Sequence, residues 1–398
     1  MNDLRILDNS KTTIKQLDQF ALEQGVTFPT SVKRKAEKIN YLRAKLSEDS
    51  VEEVEGYRDE VIELVPMWSP RGNEPKQIAE SRANWVSDLK EYGWCVVPID
   101  GWKDDFTSMF FDYLESCCEN FKRDDHTTWK TANMVPLLHG ILKNGFGHTE
   151  LQYEIRELCT PIFAQIWDLE EEELLCSFDG GCFLNNKMKS KRNETLNFNL
   201  KDMWLHVDTP RSFGGNDDLL ECYQGLANFA ECGEMDGGLV LAGCSSTEVR
   251  KTSWVEERFH DYMEQHPSAG YKWTRAQTVD PLFDDVSYIK VCAHPGELVI
   301  WHGMMFHCNV PPTRSDPSAY RMCTYVSMQP RNNATAAELK KRVKLYEEGR
   351  MTGHWCYGQY FEANPKMPRT YGNADVILPP EPEIAELNTL RRCLIGYE

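Results

Sequence analysis

The sequence contains no C-x-x-C pair anywhere, although it has 14 cysteines. That absence excludes the usual zinc-finger and thioredoxin-like redox arrangements. It also lacks any stretch approaching the ~18 consecutive apolar residues of a membrane span. The opening, MNDLRILDNSKTTIKQ, has no apolar run of signal-peptide length. The expectation is a soluble, cytoplasmic protein whose cysteines are reduced and mostly serve as small buried hydrophobes. Nor is there an excess of positive charge. With Lys+Arg 44 against Asp+Glu 62, the net charge is −18. That disfavours long-range attraction to a nucleic-acid backbone or an anionic membrane. No internal repeat of solenoid or propeller length is visible. What the 398 residues do contain is apolar bulk: 41% hydrophobic, with 17 Phe, 16 Tyr and 11 Trp, ample for a sizeable core.

Residues 1–50 read as a helical appendage. Ile14, Leu17 and Ala21 recur at helical spacing, Gly25 stops that helix, and Thr30-Ser31 can cap the next. The second helix carries Ile39, Leu42 and Leu46, with Lys33, Arg34, Lys35, Lys38, Arg43 and Lys45 around it. The pattern over residues 12–46 resembles small nucleic-acid-binding modules of the SAP or HeH type, which leaves nucleic acid as a possible partner. A solvated helical hairpin is the alternative reading. Residues 51–75, acidic and then punctuated by Pro and Gly, read as a linker. From residue 76 to 398 the expectation is one domain. Helices are expected over 78–92, 103–122, 150–167 and 334–350. Beyond residue 175 short apolar runs such as MWLHVDTP, GGLVLAGCSS and ELVIWHGMMF alternate with turn residues. This predicts a mainly β fold with a helical layer.

The most informative residues are His206 and Asp208, in Trp204-Leu205-His206-Val207-Asp208. On a strand, residues i and i+2 project from one face, so H-x-D aims an imidazole and a carboxylate at a common point. A third ligand would complete the 2-His-1-carboxylate facial triad of non-haem iron(II) oxygenases. His302 and His307 are both available. They are five apart, so in continuous extended structure only one could face the pocket. Arg321 opens a further apolar strand, and a buried arginine needs an anion. Its guanidinium fork would suit the distal carboxylate of 2-oxoglutarate.

These residues together resemble the phytanoyl-CoA dioxygenase-like family of iron(II)/2-oxoglutarate oxygenases. H-x-D is followed, 99 residues after Asp208, by His307, and then by Arg321. Gly237-Gly238-Leu239-Val240-Leu241-Ala242-Gly243-Cys244-Ser245 is similar to the family's strand-and-turn motif, with Ala242 and Ser246 where it has Pro and His. Gly296–His302 is similar to its G-D-L-V-x-x-H strand, and Pro312–Asp316 to its P-N-x-S loop. The match spans roughly residues 90–330. It implies a double-stranded β-helix (jelly-roll, cupin-like) core, with iron(II) held by His206, Asp208 and His307 and with 2-oxoglutarate and O2 as co-substrates. In that pattern His302 is not a ligand. Asn309 and Cys323 stand where the family often has Ser or Thr, and Gln224 and Asn228 are further candidates for the co-substrate.

The implied activity is oxidation of a C–H bond of a small organic-acid or amino-acid-like metabolite, by hydroxylation, desaturation or cyclisation, with release of succinate and CO2. An oxygenase recruited to nucleic acid or protein by residues 12–46, and a non-catalytic jelly-roll binding module, are the alternatives. The basic run Lys187, Lys189, Lys191 and Arg192 could meet an anionic substrate or be a solvated loop. Trp129, His139 and His148 lie where related folds build a lid, and His354, Trp355 and Tyr357 follow the late helix. Each of these also reads as ordinary core or surface.

Overall fold

Alternation along the apolar runs decides the architecture. In Glu297–His302, Leu298 and Ile300 belong to one buried cluster and Val299 and Trp301 to another, as a period of two requires. A strand buried on both faces must lie between two cores.

The structure, a computed structural model, describes residues 13–23, 38, 61–130, 133, 137–138, 140–142, 145–185, 198–199, 204–211, 221–244, 252–267, 274–358, 360–364 and 385–398. The chain divides into two compact units, Met1–Tyr57 and Arg58–Glu398. The described part of the first is helix α1 (Ile14–Glu23), with Leu17 and Ala21 buried, Ile14 exposed, and Asp18 ion-paired to Lys38. The expected basic second helix, Lys38 apart, lies outside the described residues.

The second unit begins with β1 (Val61–Ile62) and β2 (Leu64–Met67), then α2 (Pro75–Ala83), α3 (Trp85–Tyr92), β3 (Trp94–Pro98) and α4 (Phe106–Cys117). Next come β4 (Leu137–Leu138), β5 (Ile141–Leu142), α5 (Glu150–Trp167), β6 (Leu174–Cys176), β7 (Gly181–Asn185), β8 (Phe198–Asn199) and β9 (His206–Val207). They are followed by β10 (Tyr223–Asn228), β11 (Gly238–Cys244), α6 (Thr252–Gln265), β12 (Thr274–Arg275), β13 (Val286–Val291) and β14 (Glu297–His302). The unit closes with β15 (His307–Val310), β16 (Tyr320–Pro330), α7 (Ala336–Glu347) and α8 (Thr389–Ile395).

Two large, mostly antiparallel sheets result. One runs β3-β14-β10-β16-β7-β5-β4 with β6 attached to β16; the other runs β12-β9-β15-β11-β13-β2. The outer face of the first sheet packs on α4 and α5 through Phe110, Phe163, Ile300, Met322 and Val326. Its inner residues, Cys182, Leu226, Val299, Trp301 and Cys323, share a cluster with Leu239, Leu241, Ile289 and Val291 of the second sheet.

The expected single helix over 78–92 is two, broken at Asn84 (φ −120°, ψ 30°), and Gly93 in the left-handed region (φ 76°) turns α3 into β3. The expected linker also needs correction. Leu64–Met67 pairs in parallel with Tyr288–Val291, Cys292 donates its N–H to the Met67 carbonyl at 2.8 Å, and Arg71 reaches buried Asp88 at 2.7 Å. Apolar alternation over four residues is too short to stand out beside the acidic run.

Behind the first sheet, Arg342 of α7 is fully buried. It donates to the carbonyls of Ile395, Leu394, Cys356 and Cys176, tying α7, α8 and β6 together. His148 is also core, bonded through Nε2 to the Arg350 carbonyl at 2.8 Å, and Trp129 is wedged among Phe111, Phe121, Phe183 and Tyr320.

Two expectations follow. A chain starting at Arg58 should fold with its β2 edge intact, whereas one starting at Pro70 should melt several degrees lower by calorimetry, having lost β2. Burial pushes His148 down to about 3 and His302 down to about 4. The unfolded chain binds protons there below about pH 6.5 while the folded chain does not. Their contribution is therefore complete above that pH and falls as pH drops toward 4. Melting curves from pH 7.5 to 5 should show this fall, and His302→Gln should make it shallower.

Candidate metal centre

The site is built at one point of strand pairing. β9 is only two residues long, and its His206 sits directly opposite His307 on β15 and Arg275 on β12. Asp208 follows immediately after the strand, so the H-x-D segment is extended at its first two residues and loop at its third. The two imidazoles lie 4.4 Å apart between centroids. Asp208 Oδ1 is 3.8 Å from His206 Nε2, and its Oδ2 is 3.4 Å from His307 Nε2. His206, Asp208 and His307 thus form a group able to hold a metal ion, with ligand atoms all within 4.8 Å of one another.

Both histidines are oriented in the same way. His206 Nδ1 donates to the Trp204 carbonyl and His307 Nδ1 to the Met305 carbonyl, each at 2.9 Å. A proton held at Nδ1 leaves the Nε2 lone pair directed at Asp208, which is the tautomer a metal requires. Burial pushes His206 down to about 4, so the ring is neutral at physiological pH. Burial also pushes the Asp208 carboxyl up, but His206 and His307 beside it prevail and hold it well below the usual carboxylate range. His206 is thus neutral and Asp208 ionised, the forms in which each can ligate a metal.

Trp204 has a left-handed backbone (φ 58°) and a 40% exposed ring, 4.8 Å from the His206 imidazole. A tryptophan in that region is strained, and the strain coincides with the carbonyl that fixes His206. Trp355 closes another side by donating its indole N–H to the Asp208 carbonyl at 3.4 Å.

His302 stands apart. On β14 it continues the parity of Leu298 and Ile300, turning away from the inter-sheet core, and its Nδ1 accepts from the Met304 N–H at 3.3 Å. Its partner on that side is Glu256, at 3.8 Å.

Arg321, Cys323 and Tyr325 occupy alternate positions of β16, and Cys323 and Tyr325 pack in the inter-sheet cluster that also holds Trp301. Arg321 is buried, and one of its terminal nitrogens, Nη2, has no hydrogen-bond partner. Gly237 packs so closely that a Cβ there would lie 2.8 Å from Arg321 Cβ and 3.0 Å from the Val310 carbonyl. Gly237 is therefore a packing requirement of Arg321, whereas a Cβ at Gly238 would meet Cys232 Sγ at 2.7 Å. Asn309, two residues past His307, reaches Tyr325 Oη at 3.5 Å from the opposite sheet, and its Oδ1 is buried without a partner. Gln224, whose Nε2 is likewise buried and unpartnered, lies opposite Trp301 and Ser327.

Asn228 does not join them. Its amide donates to the carbonyls of Ala230, Ala293 and His294 at 2.6, 3.2 and 3.2 Å, holding the end of β10. The expected co-substrate role is corrected to a structural one, because no N–H of that amide is left to donate. Lys187, Lys189, Lys191, Arg192, His139, Ser245 and Ser246 lie outside the described residues. Sequence reasoning missed Cys182, Tyr325 and Trp301 as neighbours of Arg321, Asn309 and His307. The parity of β16 would have delivered Tyr325, since it shares a face with Arg321.

No protein-family model matches this sequence. The chain is 28% identical over 287 residues, 67% of its length and 84% of the relative's, to Ava biosynthesis cluster protein O of Aspergillus versicolor. Among solved structures it is similar to the epimerase SnoN in complex with Fe3+, alpha ketoglutarate and nogalamycin RO. That likeness has a TM-score of 0.38 and 11% identity, over 63% of this chain and 84% of that one. It is also similar to the non-heme alpha ketoglutarate dependent carbocyclase SnoK from nogalamycin biosynthesis, with a TM-score of 0.34 and 10% identity over 66% and 86%.

Proposed function

We propose that this protein is an iron(II)- and 2-oxoglutarate-dependent oxygenase of the phytanoyl-CoA dioxygenase-like kind, acting on a small organic molecule. The observation that carries the reading is the convergence of His206, Asp208 and His307, two imidazoles and a carboxylate aimed at one point. Two nitrogens and one oxygen of this kind suit iron(II) and leave coordination positions open. The buried, unpartnered Nη2 of Arg321 fits the co-substrate, because a desolvated guanidinium nitrogen calls for an anionic oxygen. On this reading the facing sheets form a double-stranded β-helix and residues 1–50 are an appendage to it.

Iron bound at the triad would supply oxidation of a C–H bond, with 2-oxoglutarate and O2 consumed and succinate and CO2 released. The chain's own contributions are distinct from that chemistry. The Trp204 and Met305 carbonyls hold the histidine tautomers, and Asp208 stays ionised between them. Arg321 would take the distal carboxylate, with Gln224 and Asn309 offering further polar atoms toward the same interior. The relative's name places it in a biosynthesis cluster, which supports a small-molecule substrate over a polymer. A purely binding role makes poor use of a buried donor set kept ready for a metal.

His206→Ala, Asp208→Ala and His307→Ala should each weaken iron(II) binding by about two orders of magnitude or more, since even outer partners of ligands typically contribute 10–100-fold. His302→Gln should leave it close to wild type. Anaerobic iron(II) titration reads this directly, and the reverse pattern for His302 and His307 sinks the ligand assignment. Arg321→Ala should weaken 2-oxoglutarate by about 2–5 kcal/mol, the usual loss for one partner of a buried charged pair, with metal affinity retained. Gly237→Ala should do the same more mildly by pressing on Arg321. Succinate formation from 2-oxoglutarate under air, assayed against small organic acids and against oligonucleotides, tests the reaction and the substrate class together.

A further inference from the structure

Arg321 presents an electrostatic problem that the proposed co-substrate solves only while bound. A guanidinium remains charged in any protein environment, and burying one without an anion is costly. Arg321 is buried, yet it makes no ion pair with a carboxylate among the described residues; its Nη1 donates to Cys182 Sγ at 2.9 Å, and the Tyr325 hydroxyl lies beside the same guanidinium. Cys182 sits on β7 directly opposite Cys323, flanked in register by Leu184 opposite Arg321.

The titratable and charged groups facing Cys182 are Arg321, Cys323 and Tyr325, all on β16. Its register neighbour on the other side, Ile141 of β5, has none, and the opposite sheet contributes neutral Asn309 through Tyr325. Burial pushes Cys323 and Tyr325 far up, so both stay protonated. Of the three acids around the cation, Cys182 is the one left to ionise, and it takes an N–H of the guanidinium directly. Burial pushes it up as well, but Cys323, Arg321 and Tyr325 around it outweigh that and bring it to about 6.

We propose that Cys182 is a thiolate serving as the internal counter-ion of Arg321, and that an incoming 2-oxoglutarate carboxylate replaces it on the guanidinium. The thiolate then takes one proton from solvent. The proposal rests on the 2-oxoglutarate reading above. No electrons move: one N–H···S contact is exchanged for N–H···O contacts, and one S–H bond forms. The physical cause is that two anions competing for one buried cation cannot both stay ionised. Binding therefore carries proton uptake near neutral pH, and 2-oxoglutarate affinity falls as pH rises above about 6. It also follows that the interior between the sheets holds a thiolate, the nucleophilic form of cysteine, whenever the co-substrate is absent.

The test uses the full chain loaded with cobalt(II) under nitrogen. Calorimetric titration with 2-oxoglutarate at pH 7 in PIPES and in Tris, buffers of different ionisation enthalpy, should show uptake of close to one proton per ligand. Cys182→Ser, checked for folding by its melting curve, should bind with none. Cys182 and Cys308 are equally buried, so brief exposure of the free protein to methyl methanethiosulfonate followed by peptide mass spectrometry compares their ionisation, and Cys182 should label at least about tenfold faster. Arg321→Gln should abolish that preference. If 2-oxoglutarate binds without proton uptake, or if Cys182 reacts no faster than Cys308, the counter-ion proposal is overturned and the oxygenase reading stands. If 2-oxoglutarate gives no binding heat while Cys182 still labels preferentially, the co-substrate reading and the exchange step fall, and the resting ion pair stands.

Discussion

One register pair constrains the whole site: His206 of β9 opposite His307 of β15. Strand side chains alternate, so a slip of one residue on either strand would send one imidazole to the wrong face and dissolve the group. Only two residues of β9 are in ladder geometry, yet the register is pinned from both sides, by Arg275 of β12 and by the longer β11–β15 ladder. β11 in turn pairs with β13, and β13 with β2. Geometry at the proposed metal is thus set by a sheet that extends back to residue 64. That is why the edge strand belongs with the site although no site residue lies on it.

The interior handles charge in two opposite ways. His148, His206 and His302 are kept neutral, because an imidazole can shed its proton more cheaply than it can be solvated there. An arginine has no such escape, and the protein answers differently at Arg342 and at Arg321. Arg342 is surrounded by four carbonyl dipoles, whereas Arg321 has a sulfur and one unused nitrogen. The first arrangement is closed and the second is open. On the reading proposed above, the open arrangement is the one that the carboxylate of 2-oxoglutarate would complete.

Much of the site is legible in the order of residues alone. The period of two along a strand singles out His206 and Asp208 within H-x-D, whereas the odd spacing of His302 and His307 decides nothing, because a turn separates them onto strands of different sheets. Arg321 stands out because a charged residue opens an otherwise apolar run. What stays hidden depends on partners distant in sequence. Asn228 reads like Gln224 on the same strand face, and only the carbonyls of Ala293 and His294 reveal that its amide is already used. Cys182 is one of 14 cysteines with nothing local to distinguish it. Its pairing with Arg321 arises from the β7–β16 register, which no short-range pattern encodes. The left-handed Trp204 is equally invisible, since local preference places glycine or asparagine in that region.

The carbonyl cage around Arg342 has a consequence for how the fold opens. A seven-residue helix such as α8 would ordinarily fray independently of the domain it packs on. Here two of the four acceptors of a buried cation are its own carbonyls, Leu394 and Ile395. Detaching the helix would strip half the solvation from a charge that cannot neutralise itself. Its amide protons should therefore exchange with the global unfolding of the second unit, which makes this short element a reporter of the cooperativity of the whole.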